Sequence, residues 1–288
     1  MIKKGIVLAG GLGTRMSPLT KAVNKQLLPL YDKPLIYYPL SVLMLAGIKD
    51  ILIIVNVGQL AQFRKIIPEK NNLGIKITYK EQKKPRGLPE AFIIGEKFIG
   101  KDNVVLVLGD NFFYGQNLTE KLKKIIKLKN GSKVFLHPVR NPNLYGVATV
   151  NKKNKILKII EKPKKTKSNL AVTGLYFFDN KVVKHSKSLK FSKRKELEIT
   201  DLLNIYRRKS ELTAEFIGRG GAWLDTGNIK DYYNASNFIS TLEERQGLKI
   251  GCLEEISYRN KWIGKKEIAK ALKFYGNCDY SRYLRDLI

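Results

Sequence analysis

Lys3 to Lys25 reads KKGIVLAGGLGTRMSPLTKAVNK, and this stretch decides how the rest of the chain is read. Gly5 to Ala9 is a short apolar run of the kind that fills a parallel strand buried on both faces. It breaks abruptly into Gly10, Gly11, Leu12, Gly13, Thr14 and Arg15. Glycines let the backbone bend through conformations closed to other residues, and they let main-chain N–H groups approach an anion unobstructed. Arg15 adds a planar fork suited to phosphate oxygens, and Lys25 adds a mobile point charge. The loop therefore reads as a polyphosphate cradle. Two better-known phosphate loops are excluded. A Walker loop needs Lys and then Ser or Thr after its last glycine, where Thr14 and Arg15 stand, and a dinucleotide fingerprint needs glycine where Met16 stands.

Outward from this loop, apolar runs recur at Ile51 to Val55, Ile75 to Tyr79, Val104 to Leu108, Val134 to Leu136, Gly146 to Val150 and Ala171 to Phe178. Most are separated by segments of helical period: Pro39 to Ala46, Gln59 to Ile66, Leu88 to Phe98 and Leu118 to Leu128. Strands alternating with helices predict an α/β fold with a mostly parallel sheet and helices on both faces. Ligands of such sheets bind beyond the carboxyl ends of the strands, where Gly10 to Arg15 and Asp110 both fall. From about Arg140 to Glu215 the pattern changes. Tyr145 to Val150 and Ile156 to Ile160 read as a hairpin in a mixed or antiparallel layer, and Thr200 is the expected N-cap of a helix reaching Tyr206. From Asn228 the period is helical through Leu242, and residues 245–288 form a mostly helical tail.

With 43% hydrophobic residues in 288, the chain can build a substantial core. Its N-terminal apolar segment is too short for a signal-peptide core, and no run approaches the roughly 18 apolar residues of a membrane span. A cytoplasmic protein with no membrane partner is expected. Cys252 and Cys278 are the only cysteines, with no zinc or disulfide pattern. The 54 basic against 25 acidic residues raise a nucleic-acid reading, but 42 of the 54 are Lys and they are spread along the chain, whereas base and phosphate reading favours clustered Arg. No specific nucleic-acid partner is expected.

Two acids stand at glycine-flanked positions. Asp110 in LVLGDN follows the run Val104 to Leu108, and Asp225 lies in GGAWLDTGN. Carboxylates at exposed strand ends suit Mg²⁺, which prefers one or two carboxylates together with substrate phosphates; the plainer readings are a turn cap for Asp110 and an N-cap near Asn228 for Asp225. GGLGTR followed by Pro18, Lys25, Gln26 and Pro29, then GD, then LDTG, resembles the signature of the sugar-1-phosphate nucleotidylyltransferases. Asn24 to Ile48, NKQLLPLYDKPLIYYPLSVLMLAGI, is similar to the branch of that family that joins dTTP to glucose 1-phosphate.

The resemblance implies a Rossmann-like, mostly parallel mixed sheet flanked by helices, with an inserted β-rich sugar-binding layer and a helical C-terminal tail. Residues 1–241 would be the transferase domain, with the nucleotide part mainly in 1–137 and the sugar part mainly in 138–227; residues 242–288 would form a helical extension with regulatory or oligomer contacts. Leu8, Gly10, Gly11, Gly13, Thr14, Arg15, Lys25, Gln26, Gln82 and Gly87 correspond to nucleotide-binding positions. Tyr145, Gly146, Glu161, Lys162, Val172 and Trp223 correspond to sugar-phosphate positions. Arg15, Lys25 and Lys162 would be catalytic, and Asp110 and Asp225 would bind the catalytic Mg²⁺. Gln82 would pair with the pyrimidine edge, although Pro89 and Glu90 stand where relatives carry Ala and Gln. The tail Leu242 to Ile263 resembles members with a second, regulatory nucleotide site for dTDP-L-rhamnose. Its candidates are Tyr114, Gly115, Arg219, Glu255, Ile256 and Arg259; Leu253 replaces a common Pro. The implied partners are dTTP, glucose 1-phosphate and three further copies of the chain in a homotetramer, at the first step of dTDP-L-rhamnose-type sugar synthesis. Two alternatives stand open: a relative preferring UTP, and a basic nucleic-acid-binding protein on an inactive transferase fold.

Overall fold

The computed structural model describes residues 1–288. Its strands in chain order are β1 (Lys4–Ala9), β2 (Pro29–Leu30), β3 (Lys33–Pro34), β4 (Asp50–Asn56), β5 (Lys76–Gln82), β6 (Val104–Leu108), β7 (Asn111–Gly115), β8 (Ser132–Pro138), β9 (Gly146–Val150), β10 (Ile156–Glu161), β11 (Leu170–Phe178), β12 (Leu212–Phe216) and β13 (Gly221–Asp225). Across the main sheet β5, β4, β1, β6, β11, β8 and β12 are consecutive neighbours. The β9–β10 hairpin joins it where Ala171 pairs with Val147. The amino-terminal strands β5, β4, β1 and β6 are all parallel, and β11 enters antiparallel to β6, β8 and β9, so the sheet is mixed.

Alternation explains why the parallel strands read as unbroken apolar runs. Ile51, Ile53 and Val55 of β4 point into one core, while Leu52 and Ile54 point into the core on the opposite face. Helices cover both faces: α1 (Tyr37–Leu45), α2 (Leu60–Ile66), α3 (Glu90–Ile94), α4 (Glu96–Ile99), α5 (Leu118–Ile125), α6 (Val182–Lys187) and α7 (Ile199–Arg208). The segment Leu88 to Phe98, expected as one helix, is two short ones that meet at Gly95. Thr200 is not an N-cap. Helix α7 begins at Ile199, and Thr200 is buried on its first turn.

Two further features complete the fold. Beyond β6 the chain leaves the main sheet, and β7 pairs antiparallel with β13 in a separate ribbon, with Asn111 opposite Asp225. This ribbon has no short-range sequence signature, because its strands come from distant parts of the chain. The second feature is the tail: α8 (Ile229–Gln246), α9 (Leu253–Arg259), α10 (Lys265–Tyr275) and α11 (Asp279–Arg285). Asn228 caps α8 by accepting from the Asp231 N–H at 3.0 Å, so Asp225 is not its cap. Helix α8 is pinned to the β2–β3 hairpin by an ion cluster built on the buried Lys33 and Glu243. The Lys33 Nζ lies 3.1 Å from Glu243 Oε1 and also pairs with Asp32, and Lys249 Nζ lies 2.5 Å from Asp32 and 3.3 Å from Glu243. No helix is long and apolar enough to cross a membrane.

Because Lys33 is only 4% exposed, Lys33→Met strands two acids beside the single remaining cation. It should destabilise the fold by about 3–5 kcal/mol. Urea unfolding of the variant against wild type measures this, and an unchanged midpoint would mean the cluster contributes nothing.

Candidate active site

The glycine loop turns at the carboxyl end of β1 with Gly11 at φ +104° and Gly13 at φ +60°. Asn56, at the end of β4, clamps the turn from the side. The Gly11 N–H donates to Asn56 Oδ1 at 2.9 Å, and Asn56 Nδ2 donates to the Gly11 carbonyl at 2.9 Å. Gly10 is needed for a different reason: a Cβ there would stand 2.6 Å from Gln82 Oε1. Leu8, Gly10, Gly11, Arg15, Gln26, Gln82 and Gly87 all line one cleft of about 430 Å³. Gln82 and Gln26 are each 4% exposed, so neither is a solvated loop side chain, and Gln26 Oε1 has no partner. Gly13 and Thr14 lie in the turn leading to Arg15, outside the cleft lining.

Asp110 and Asp225 meet in this cleft through the β7–β13 ribbon. Both the Thr226 N–H (3.1 Å) and its hydroxyl (2.8 Å) donate to the Asp110 carbonyl, tying the residue after Asp225 to Asp110 itself. Lys25, 7% exposed, stands behind the lining with its Nζ 2.6 Å from Asp110 Oδ2. Burial alone would raise the Asp110 carboxyl, but the Lys25 charge and hydrogen bond, with help from Asn111 Nδ2 at 3.0 Å, hold it below the ordinary carboxylate range. Asp225 has no such guard. Burial and then the Asp110 charge push it up to about 6, against the pull of Lys25 and Arg15. The exposed Arg15 guanidinium lies at the mouth, 2.9 Å from where a Cβ on Gly227 would be, so the glycine of LDTG leaves it room.

The other wall carries Tyr145, Gly146, Glu161, Lys162, Val172 and Trp223, all in the same cleft. Trp223 Nε1 donates to Asn111 Oδ1 at 2.6 Å and its ring packs edge-on against Tyr145 at 5.1 Å. A Cβ on Gly146 would meet Glu161 Oε2 at 3.4 Å and Thr200 at 3.0 Å. Lys162 holds a left-handed φ of +40°, a strained value for a non-glycine residue. Burial and the neighbouring Glu198 raise the Glu161 carboxyl, partly offset by Arg194 and Lys162. Sequence reasoning missed Arg194, which lines the cleft and bridges Glu161 (3.3 Å) to Glu198 (2.6 Å). It also missed Asn56 and Asn111; only Asn111, adjacent to Asp110 in GDN, offered a signal. The regulatory candidates fall into two groups. Tyr114 and Gly115 lie on β7, where the Tyr114 hydroxyl meets Gln246, and Arg219 stands just before β13. Glu255, Ile256 and Arg259 lie on α9, where Arg259 Nε reaches Glu255 at 2.6 Å. No hydrogen bond or ion pair joins the two groups within one chain.

A glycine turn, two cations and two acids beyond the carboxyl ends of β1 and β6 suit a reaction between phosphates under metal assistance. Residues 4–241 match the family model for nucleotidyl transferases, and the chain is a nucleotidyltransferase. The chain is 49% identical to the glucose-1-phosphate thymidylyltransferase of Neisseria meningitidis serogroup A and 44% identical to that of Mycobacterium tuberculosis, each over 99% of both chains. It belongs to the glucose-1-phosphate thymidylyltransferase family. Among solved structures, UDP-glucose pyrophosphorylase complexed with UDP-glucose matches with a TM-score of 0.74 at 28% identity, covering 84% of this chain and 100% of that one.

Since its carboxyl is raised to about 6, ionised Asp225 opposes folding at pH above that value, and the opposition disappears as pH falls toward 4. In EDTA, Asp225→Asn should therefore stabilise the protein at pH 8 by up to about 3 kcal/mol, with the gain shrinking between pH 6 and 4. Thermal melts across pH check the sign; a variant less stable than wild type at pH 8 would refute it.

Proposed function

We propose that the cleft transfers the thymidylyl group of dTTP to glucose 1-phosphate, giving dTDP-glucose and pyrophosphate. Membership of the family supports this, and the observation that carries it is the convergence of Lys25, Arg15, Asp110 and Asp225 beside the glycine turn. The phosphate oxygen of the sugar attacks the α-phosphorus of the nucleotide, and pyrophosphate departs on the opposite side. Both reactants are anions, so catalysis is chiefly positioning plus neutralisation of charge. The attacking phosphate is already ionised at neutral pH, so the reaction needs no general base; neither His137 nor His185 lines the cleft.

In this reading the Gly10 to Thr14 turn and Gln26 hold the nucleotide, Gln82 and Gly87 face the base, and Lys25 serves the triphosphate. Arg15 takes charge from the leaving pyrophosphate and from the crowded α-phosphorus. On the sugar side Glu161 accepts from hexose hydroxyls, Lys162 grips the sugar phosphate, and Gly146, Val172, Tyr145 and Trp223 shape the pocket. Asp110 and Asp225 suit Mg²⁺: two half-buried acids share one corner of the cleft, and the Asp225 carboxyl, raised first by burial and then by the Asp110 charge, is one that a divalent cation would hold ionised. When bound, such an ion supplies charge neutralisation at the nucleotide phosphates. We further assign the protein to the cytoplasm, as a homotetramer, with Tyr114, Gly115, Arg219, Glu255, Ile256 and Arg259 forming a regulatory site across subunits. Inhibition of turnover by added dTDP-L-rhamnose tests that assignment, and no inhibition refutes it.

A UTP-using reading is favoured by the likeness to UDP-glucose pyrophosphorylase. Pyrophosphate release with glucose 1-phosphate, compared between dTTP and UTP, separates the two, and higher kcat/KM with UTP would overturn the thymidylyl assignment. Arg15→Ala should lower kcat by at least about a hundredfold, the scale of one preorganised electrostatic donor, with the melting temperature unchanged. Near-normal turnover would remove Arg15 from the chemistry.

A further inference from the structure

We propose that Glu90 is a positioning residue that fixes which way round the Gln82 amide faces the nucleotide, so that the cleft selects bases presenting a ring N–H beside a carbonyl. The inference rests on the cleft being a nucleotide site. Gln82 ends β5 at 4% exposure, and Glu90 opens α3 at 5%. Gln82 Nε2 donates to Glu90 Oε2 at 2.7 Å. The same oxygen accepts the Arg86 N–H at 3.2 Å, and Glu90 Oε1 accepts from Arg86 Nε at 2.7 Å. Three donors thus converge on one carboxylate.

An ionised carboxylate only accepts, whereas an amide presents a donor at one end and an acceptor at the other. With Glu90 in place, the nitrogen of Gln82 must face it. Flipping the amide would set two oxygens against each other with no proton between them, in a site with almost no access to water. The carbonyl end is fixed as well: Gln82 Oε1 lies 2.6 Å from where a Cβ on Gly10 would stand, so it rests over the bare glycine on the cleft floor. What remains free is that oxygen and the second N–H, an acceptor beside a donor. Thymine and uracil present the complement, a ring N–H beside a carbonyl. Cytosine and adenine present a ring acceptor beside an amino group, and an amide free to turn would read them equally well.

The requirement is for an acceptor at this spot, not for the charge. The Arg86 side chain is 60% exposed and free to swing into solvent, whereas its main-chain N–H is fixed and continues to demand an acceptor at Oε2. A glutamine at position 90 satisfies that demand with its carbonyl and keeps Gln82 in the same sense. A methionine of similar length does not.

The test is kcat/KM for dTTP and for dCTP, with glucose 1-phosphate as acceptor, in wild type, Glu90→Met and Glu90→Gln. Wild type should prefer dTTP by at least about a hundredfold, since a buried polar site rejects a mismatched edge strongly. In Glu90→Met that ratio should fall at least about tenfold with the KM for glucose 1-phosphate unchanged, and in Glu90→Gln it should stay within about threefold of wild type. An unchanged ratio in folded Glu90→Met, or an equal loss in Glu90→Gln, would overturn the assignment. If Glu90→Met does not fold, the wild-type ratio still decides, because comparable use of dCTP is incompatible with a fixed amide. Wild type that releases no pyrophosphate from dTTP would instead sink the reaction itself, a result distinct from any of these.

Discussion

Two half-buried carboxylates sharing one corner of the cleft repel each other, and much of this molecule is arranged to hold them there. Asp110 is kept ionised by Lys25 at 2.6 Å and by Asn111, while Asp225 has no cation of its own and is pushed up to about 6. The arrangement is enforced by backbone, not by the acids. Strands β7 and β13 fix Asn111 opposite Asp225, the Asn111 side chain accepts from Trp223 Nε1 and the Gly174 N–H, and Thr226 is bonded to the Asp110 carbonyl. Strain of this sort persists only where surrounding structure over-determines it, and it accumulates at functional sites.

The same logic explains the glycines, which serve two different ends. Gly11 and Gly13 have left-handed backbones, so they supply the turn. Gly10, Gly146, Gly174 and Gly227 instead make room for a neighbouring polar group: Gln82, Glu161, Asn111 and Arg15 respectively each lie within 3.4 Å of an added Cβ. A cleft that must bring anions close to side-chain forks and amides has little space for Cβ atoms. Gly10, Gly11, Gly146 and Gly174 therefore mark the cleft's lining as clearly as its charged residues do.

The parts of this design that were legible in the sequence are those written in short-range pattern. β1, β4 and β6 announced themselves as apolar runs, and GGLGTR announced the turn. The hairpin Gly146–Val150 and Ile156–Glu161 was legible for the same reason, since its pairing spans only one turn. What could not be read was pairing between distant segments. The β7–β13 ribbon joins two five-residue stretches from opposite halves of the chain, and neither is distinctive alone. Asn56 and Arg194 were invisible for a related reason: each matters only because folding carries it to a partner, Gly11 in one case and Glu161 with Glu198 in the other. Thr200 misled because a Thr before an apolar run has the composition of a cap, whereas here it is buried one residue inside α7 against Gly146.

The lopsided charge also has a structural side. With 25 acids against 54 bases, few carboxylates are available, and five of them sit in buried bonding hubs. Glu90, Asp179, Glu243, Glu254 and Glu198 are all buried, and each accepts from two or more donors. Most of the lysines, by contrast, are exposed along helices and loops. An acid in a hub cannot be exchanged without leaving several donors unpaired, whereas an exposed lysine can be gained or lost with little effect on folding. The positive excess is carried mainly by these surface lysines. Its functional reach is general: a positive field favours the approach of any polyanion, which suits a cleft awaiting two phosphorylated molecules. The selectivity among those molecules has to come from the few buried, fully bonded groups that line the cleft.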